Sequence, residues 1–338
     1  MKQIRLYGPD DLRLDEMPDP APGPADVVVK VAAFGICGSD LHFKKRGGVA
    51  GPVKAPCGIG HEFVGTIHAV GGEVRGIAPG ARVVVDPIEH GHSIGIGADE
   101  GAYGQYVLVR DAKLGGPIHA LPDAVSMQRA VLVEPVAVAT HAINRGEFPA
   151  GGRAVVFGTG PIGLAAIAVL KYRGASKILA VDVIDERLER ARRLGAHETV
   201  NARGRDMRAT MMQVFGRVKD RGRVAANCDL FLDAAGAPGI LNDIVNVARF
   251  RDGSRIVIVA VPEKPELLDI GQILGRELTI RGSVCYPDEF PQVISMMADP
   301  RFDIEPMVSH TFDFAEFDRA FATAEDPRQS AKVVVRMS

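Results

Sequence analysis

The chain has 338 residues, 46% of them hydrophobic and 24% charged, with a formal net charge of −2. That length favours two domains over one small core, and the near balance of charge gives no reason to expect nucleic acid or an anionic membrane as a partner. No apolar run reaches the roughly 18 residues of a membrane span.

The first residues, Met1 to Tyr7, lack the apolar core and cleavage site of a signal peptide and read as a strand. Four cysteines, Cys37, Cys57, Cys228 and Cys285, stand singly with no CxxC pair. That spacing suits a reducing compartment, so cytoplasm is the expected location and a disulfide framework is not expected. Cys57, Cys228 and Cys285 are expected to be buried or inert.

In chain order, the first 150 residues are punctuated by Gly and Pro and carry short β-branched runs such as 26–31 and 81–85, which predicts a β-rich domain with irregular loops. Residues 90–104 hold five glycines and no periodic pattern, and read as a surface lobe. From Gly151 apolar strands alternate with helical stretches. Residues 153–157 form a run fit for a parallel strand buried on both faces; 161–172 have helical spacing, 177–182 read as a strand, and 185–194 as a charged helix capped by Asp185 and ended by Gly195. Further strands are expected at 229–233, 255–259 and 277–281. A helix over 206–215 is followed by a flexible basic excursion, 217–223. The tail adds a helix near 315–323 and a last strand, 332–336. Alternating β and α units of this length predict an α/β fold with a doubly wound parallel sheet and helices on both faces.

Between the first two of those units lies Gly158-Thr159-Gly160-Pro161-Ile162-Gly163. A lone GxGxxG is weak, but this one directly follows an apolar strand and opens a helix. Glycines there let the backbone approach a pyrophosphate, which rests on the free N–H groups of the helix start. Asp182, 24 positions after Gly158, ends the second strand, where a carboxylate accepts hydrogen bonds from ribose hydroxyls and repels the extra phosphate of NADP. NAD is therefore the expected cofactor, with Gly158, Gly160, Pro161, Ile162, Gly163, Asp182 and Arg187 around it. Arg187, one turn into its helix, reads as a solvated neighbour of the site.

Upstream, Cys37, His61, Glu62 and Glu134 supply a sulfur, an imidazole and carboxylates, the ligand types of a catalytic zinc site with one position left open. Each alone reads as a core cysteine or surface polar group; the joint pattern points to a metal.

The runs Gly35-Ile36-Cys37-Gly38-Ser39-Asp40-Leu41-His42, Gly60-His61-Glu62, Gly101-Ala102-Tyr103-Gly104-Gln105-Tyr106, Glu134-Pro135 with Thr140-His141-Ala142, the glycine loop and Asp182 together resemble a zinc-dependent medium-chain alcohol dehydrogenase, nearest the polyol, butanediol and threonine dehydrogenase branch. The resemblance spans essentially the whole chain. It implies a GroES-like catalytic domain over 1–149, completed by 285–338, with a Rossmann-type cofactor domain over 150–284 inserted between. It also implies zinc held by Cys37 and His61 with Glu62 or Glu134 completing the set, the two carboxylates able to trade places. Asp40 would accept the other N–H of His61. Ser39 would take the proton of the substrate alcohol, and His42 would pass it to solvent through the cofactor ribose.

The lobe that in many relatives carries a second, structural zinc has no cysteine here, offering Glu89, His90, His92, Asp99 and Glu100 instead, so one zinc per chain is expected. His141 reads as structural. Phe43 and the basic Lys44, Lys45 and Arg46 read chiefly as a solvated turn.

The function these features predict is NAD-linked oxidation of a secondary alcohol (a polyol, sugar alcohol or vicinal diol) to a ketone. The alternatives are a threonine 3-dehydrogenase-like oxidation of a 3-hydroxy amino acid, which needs a cation for the substrate carboxylate, and a dinucleotide-binding protein without catalysis. Beyond the small-molecule substrate, the resemblance implies a homodimer or homotetramer, with cofactor-domain strands near Ile256 and Thr279 at the interface.

Overall fold

The structure, a computed structural model, describes residues 1–337 apart from 252 and 263. The chain forms two compact units, one of Met1–Glu134, Phe290–Asp299 and Val308–Ser338, the other of Pro135–Glu289 and Pro300–Met307.

The first unit is built on a seven-stranded sheet. Its path runs Val308–Asp313, Lys332–Arg336, Val27–Ile36, Glu62–Val70, Arg82–Val85 and Ile118–Ala120, and Tyr106–Val109 pairs with Val27–Ile36 off that path. The central strand, Val27–Ile36, is almost continuously apolar because partners cover both of its edges and both of its faces. A three-stranded sheet of Asp11–Glu16, Lys2–Gly8 and Cys57–Gly58 stands beside it in sequence and topology. The core gathers Val29, Val31, Phe34, Phe63, Tyr103 and Phe317. Residues 90–104 have little regular structure beyond a short 3-10 turn, Glu89–Gly91, as expected. They are not all surface, however: Ile94, Ala102 and Tyr103 are buried in that core.

The second unit holds a six-stranded, all-parallel sheet in the order Glu198–Asn201, Lys177–Asp182, Arg153–Phe157, Leu230–Asp233, Arg255–Ile258, Ile280–Gly282. The chain moves outward from Arg153–Phe157 in one direction and resumes beside it in the other, so the topological switch point falls between Arg153–Phe157 and Leu230–Asp233, where open α/β sheets bind ligands.

Three local expectations differ from what the chain does. Residues 217–223 are not a flexible excursion: Arg217–Asp220 and Arg223–Ala226 pair as an antiparallel hairpin. Its turn residues Arg221 and Gly222 both have positive φ (48° and 80°), the conformation a two-residue hairpin requires. Asp185 is the first residue of its helix, Asp185–Leu194, rather than the cap, which is Ile184; Gly195 does end it, at φ 112°. The last strand of the sheet is Ile280–Gly282 rather than 277–281, because Glu277 closes the helix Ile270–Arg276 in a left-handed conformation. Cys57 and Cys228 are buried, but Cys285 is exposed. No helix among the described residues is long and apolar enough to cross a membrane.

Candidate metal centre and cofactor loop

Cys37 ends the central strand of the first unit and stands at the start of the helix Gly38–Arg46. Glu62 begins the neighbouring strand, Glu62–Val70, immediately after His61, and pairs in register with Gly35. Strand pairing thus brings two segments 24 residues apart to one place. Ligand atoms of Cys37, His61 and Glu62 all lie within 4.8 Å of one another, the one such group of three among the described residues. Glu134 does not share that group. It is buried as the second residue of the helix Val133–Arg145, close enough for its charge to act on Lys332.

Around this group the side chains are tightly specified. Asp40, fully buried, accepts hydrogen bonds at Oδ2 from the Cys37 backbone N–H (2.9 Å) and the Tyr103 hydroxyl (2.5 Å). Its Oδ1 faces His61 Nδ1 at 3.4 Å, an ion-pair distance, and neither atom has a hydrogen-bond partner. An imidazole whose Nδ1 faces a carboxylate leaves Nε2 free for a metal. Burial opposes protonation of His61, but the charges of Asp40 and Cys37 outweigh it and raise the pKa well above the ordinary value. Burial and then Asp40 push the Tyr103 phenol well above its usual range, so it remains a donor.

Glu62 is held from its other side by Lys332, whose Nζ lies 2.5 and 2.7 Å from the two carboxylate oxygens and 3.3 Å from the Ile36 carbonyl. Burial penalises the ammonium, yet Glu62 and Cys37 outweigh it and raise the Lys332 pKa.

A sulfur, an imidazole nitrogen and a carboxylate oxygen converging in a buried site, with a carboxylate behind the histidine, is a donor set that fits zinc. Ser39 and His42 share the helix of Asp40 at i and i+3, hence one face of it; Ser39 is half-buried and His42 exposed. Of the basic run that follows, Lys44 is committed to an ion pair with Glu325 (2.8 Å) and lies over the Phe321 ring.

In the second unit the glycine loop joins Arg153–Phe157 to the helix Pro161–Tyr172, with Gly160 as cap and Pro161 at the first helical position, where its missing N–H costs nothing. Gly163 is required by close approach: a Cβ there would lie 1.8 Å from the Gly158 carbonyl oxygen. Ile162 is half-buried in the same first turn. Asp182 accepts four hydrogen bonds, from Thr159 N and Oγ1 (2.7 and 2.9 Å) and from Val183 N and Ile184 N (2.7 and 3.0 Å), which tie the loop to the end of the second strand. Arg187 is not a solvated bystander. It is half-buried, and a Cβ placed on Gly160 would lie 3.8 Å from its Nη1. Burial lowers its pKa against the opposing charge of Asp182. His141 contacts Glu289 at 2.8 Å and stands apart from the ligand group.

Residues 23–123 match the alcohol dehydrogenase GroES-like domain and residues 161–299 the zinc-binding dehydrogenase family. The chain belongs to the zinc-dependent medium-chain alcohol dehydrogenases. Within them it falls in the sorbitol and butanediol dehydrogenase branch. It is 32% identical to (R,R)-butanediol dehydrogenase of Bacillus subtilis over 99% of both chains. It is 29% identical to sorbitol dehydrogenase of Macaca fascicularis, covering 94% of this chain and 91% of that one. Among solved structures, the alcohol dehydrogenase RspB of Escherichia coli CFT073, complexed with cofactor NADH, superposes with a TM-score of 0.87 at 32% identity, covering 100% of this chain and 99% of that one. The chain is accordingly an oxidoreductase that uses zinc and NAD.

Two residues of the centre, Lys332 and Tyr103, escape sequence reasoning. Lys332 opens an apolar strand and looks like an ordinary edge charge, and its partner Glu62 is 270 positions away. Tyr103 lies in a glycine-rich run whose aromatic residue reads as packing.

Proposed function

We propose that the protein oxidises a secondary alcohol bearing a neighbouring hydroxyl, as in a polyol, sugar alcohol or vicinal diol, to the ketone while NAD is reduced. The observation that carries this reading is the buried Cys37–His61–Glu62 group backed by Asp40, in a chain of the butanediol and sorbitol dehydrogenase branch. In this reading residues 1–149 with 285–338 make up the catalytic domain and 150–284 the NAD-binding domain, whereas the compact units place 135–149, 285–289 and 300–307 with the second.

Bound at this site, zinc supplies a Lewis acid that acidifies a ligated hydroxyl, and bound NAD supplies the hydride acceptor. Cys37, His61 and Glu62 would hold the metal, and Glu134 would be the carboxylate able to trade places with Glu62. Lys332 offsets the charge that Glu62 adds, so that the donor set does not blunt the metal's acidity. Ser39 accepts the hydroxyl proton and His42, exposed on the same helix face, delivers it to solvent. Asp182 receives the adenosine ribose, Arg187 lies beside it, and the glycine loop with Pro161 and Ile162 carries the pyrophosphate at the helix N-terminus. One zinc per chain is the reading, since the lobe of residues 86–104, where many relatives hold a second zinc, has no cysteine.

The threonine-type alternative needs a cation for the substrate carboxylate; of the candidates Lys44, Lys45 and Arg46, Lys44 is paired with Glu325, while Lys45 and Arg46 are exposed. A homodimer, or a tetramer built from it, is supported by the outer strand Ile280–Gly282 and by Val261 and Leu267, 90% and 92% exposed in the connections before it. The unpaired cysteines fit a cytoplasmic location.

The test is NAD reduction by the purified protein against sugar alcohols, vicinal diols, simple secondary alcohols and L-threonine. Turnover of a polyol or diol supports the proposal; turnover confined to L-threonine replaces it.

A further inference from the structure

We propose that Tyr103 is a positioning residue of the metal centre, its hydroxyl orienting the Asp40 carboxylate and, through it, the imidazole of His61. This inference rests on the zinc reading above.

Asp40 is a fully buried carboxylate, and among the described residues no lysine or arginine forms an ion pair with it. Its contacts are the Cys37 N–H and the Tyr103 hydroxyl, both on Oδ2, and His61 Nδ1 opposite Oδ1. Two donors on one oxygen fix the plane of the carboxylate and leave the other oxygen aimed at the histidine. The Cys37 N–H is set by the helix start. Among the described residues Tyr103 is therefore the one side chain besides His61 in contact with the Asp40 carboxylate.

The phenol is itself locked. Its ring packs against Phe34 and Phe317, with centroids 4.6 and 5.3 Å away. Its backbone N–H donates to the Ile59 carbonyl (3.2 Å) and its carbonyl accepts from the Ile4 N–H (2.7 Å). Gly60, at φ 88°, lies directly on the ring: a Cβ there would come within 2.2 Å of Tyr103 Cδ1. The glycine before His61 thus admits the aromatic ring whose hydroxyl reaches the carboxylate behind His61. Phenylalanine would meet every one of these packing demands and would donate nothing, so the hydroxyl serves Asp40 rather than the core.

The test compares wild type, Tyr103→Phe, Asp40→Asn and the double variant. Zinc affinity is measured by competition with a chromophoric chelator, and the absorption spectrum is recorded with cobalt in place of zinc. Removing partners behind a metal ligand typically costs 10–100-fold in affinity, and for Tyr103→Phe, one bond further out, about 10-fold is expected together with a shifted cobalt spectrum. In the Asp40→Asn background the same change should have no further effect, because its route to the metal is gone. Unchanged or tighter zinc binding by Tyr103→Phe, or an equal loss in both backgrounds, overturns the inference. If Asp40→Asn does not fold, the cobalt spectrum of Tyr103→Phe decides alone, an unaltered spectrum refuting the role. A wild type that binds no zinc would remove the site reading itself, an outcome distinct from a metal-binding wild type with an indifferent variant.

Discussion

Replacing Lys332 with Met removes the one cation that holds Glu62, leaving a carboxylate with no solvent exposure and no counter-charge in the metal-free protein. Breaking a buried pair by deleting one partner costs about 3–5 kcal/mol. The lower part of that range is expected, because Met keeps the apolar stem of the lysine and opens no large cavity. Both bonds from Lys332 Nζ to Glu62, at 2.5 and 2.7 Å, are lost together, so the expected destabilisation is about 3–4 kcal/mol. For a unit of this size that corresponds to a fall of roughly 6–16 °C in the unfolding midpoint.

The assay is thermal unfolding of metal-free protein at pH 7, repeated after zinc is added. Zinc should recover part of the loss in Lys332→Met, since it offers Glu62 a replacement counter-charge. Adding Glu62→Gln to Lys332→Met should also recover most of the stability, because no buried charge remains to be neutralised. A midpoint unchanged in Lys332→Met, or a double variant no more stable than the single one, would refute the reasoning.

Cys37→Ser should abolish turnover while the affinity for NADH, measured by fluorescence titration, stays at the wild-type value; retained turnover refutes the metal assignment. Asp182→Ala removes four hydrogen bonds, two of them from Thr159 of the glycine loop, and the negative charge proposed to receive the ribose. NADH affinity should fall about 10-fold, the scale of one charged hydrogen bond, and the preference for NAD over NADP should narrow in steady-state assays. Burial raises the Asp86 pKa to about 6 against the N–H groups of Ile88 and Glu89, which favour its charged form. A raised carboxyl pKa means that its contribution to stability is complete below about pH 4 and is lost as the pH rises through about 6. Asp86→Asn should therefore flatten the unfolding midpoint across that window and add about 1–2 kcal/mol at pH 7, the full shift being discounted for partial solvent screening. A midpoint lowered at pH 7 would contradict it.

What was legible in the sequence followed from local physics. The apolar run 153–157, the glycine loop and the helical spacing of 161–172 identify a strand, turn and helix because each element is specified by its own residues, and the structure reproduces those bounds. Cys37 and His61 could be grouped because motif spacing survives where contact cannot be seen. Glu62 and Glu134 were both legible as candidates beside them, but which of the two stands with Cys37 and His61 needed the register of Val27–Ile36 against Glu62–Val70. Lys332 and Tyr103 were invisible because their roles depend on partners 270 and 63 residues away. The hairpin at 217–226 was misread because its strands are charged and short, and its turn, Arg221-Gly222, places a non-glycine residue at positive φ.

The central claim, a zinc held by Cys37 and His61 that NAD-linked alcohol oxidation depends on, is tested most directly by removing the metal with a chelator and restoring it stepwise while following NAD reduction with a vicinal diol or sugar alcohol. The account predicts that activity disappears with the metal and returns in proportion to zinc, saturating at one ion per chain, and that Cys37→Ser does not recover. Full activity in the metal-free protein, or a return that needs two ions per chain, would contradict it.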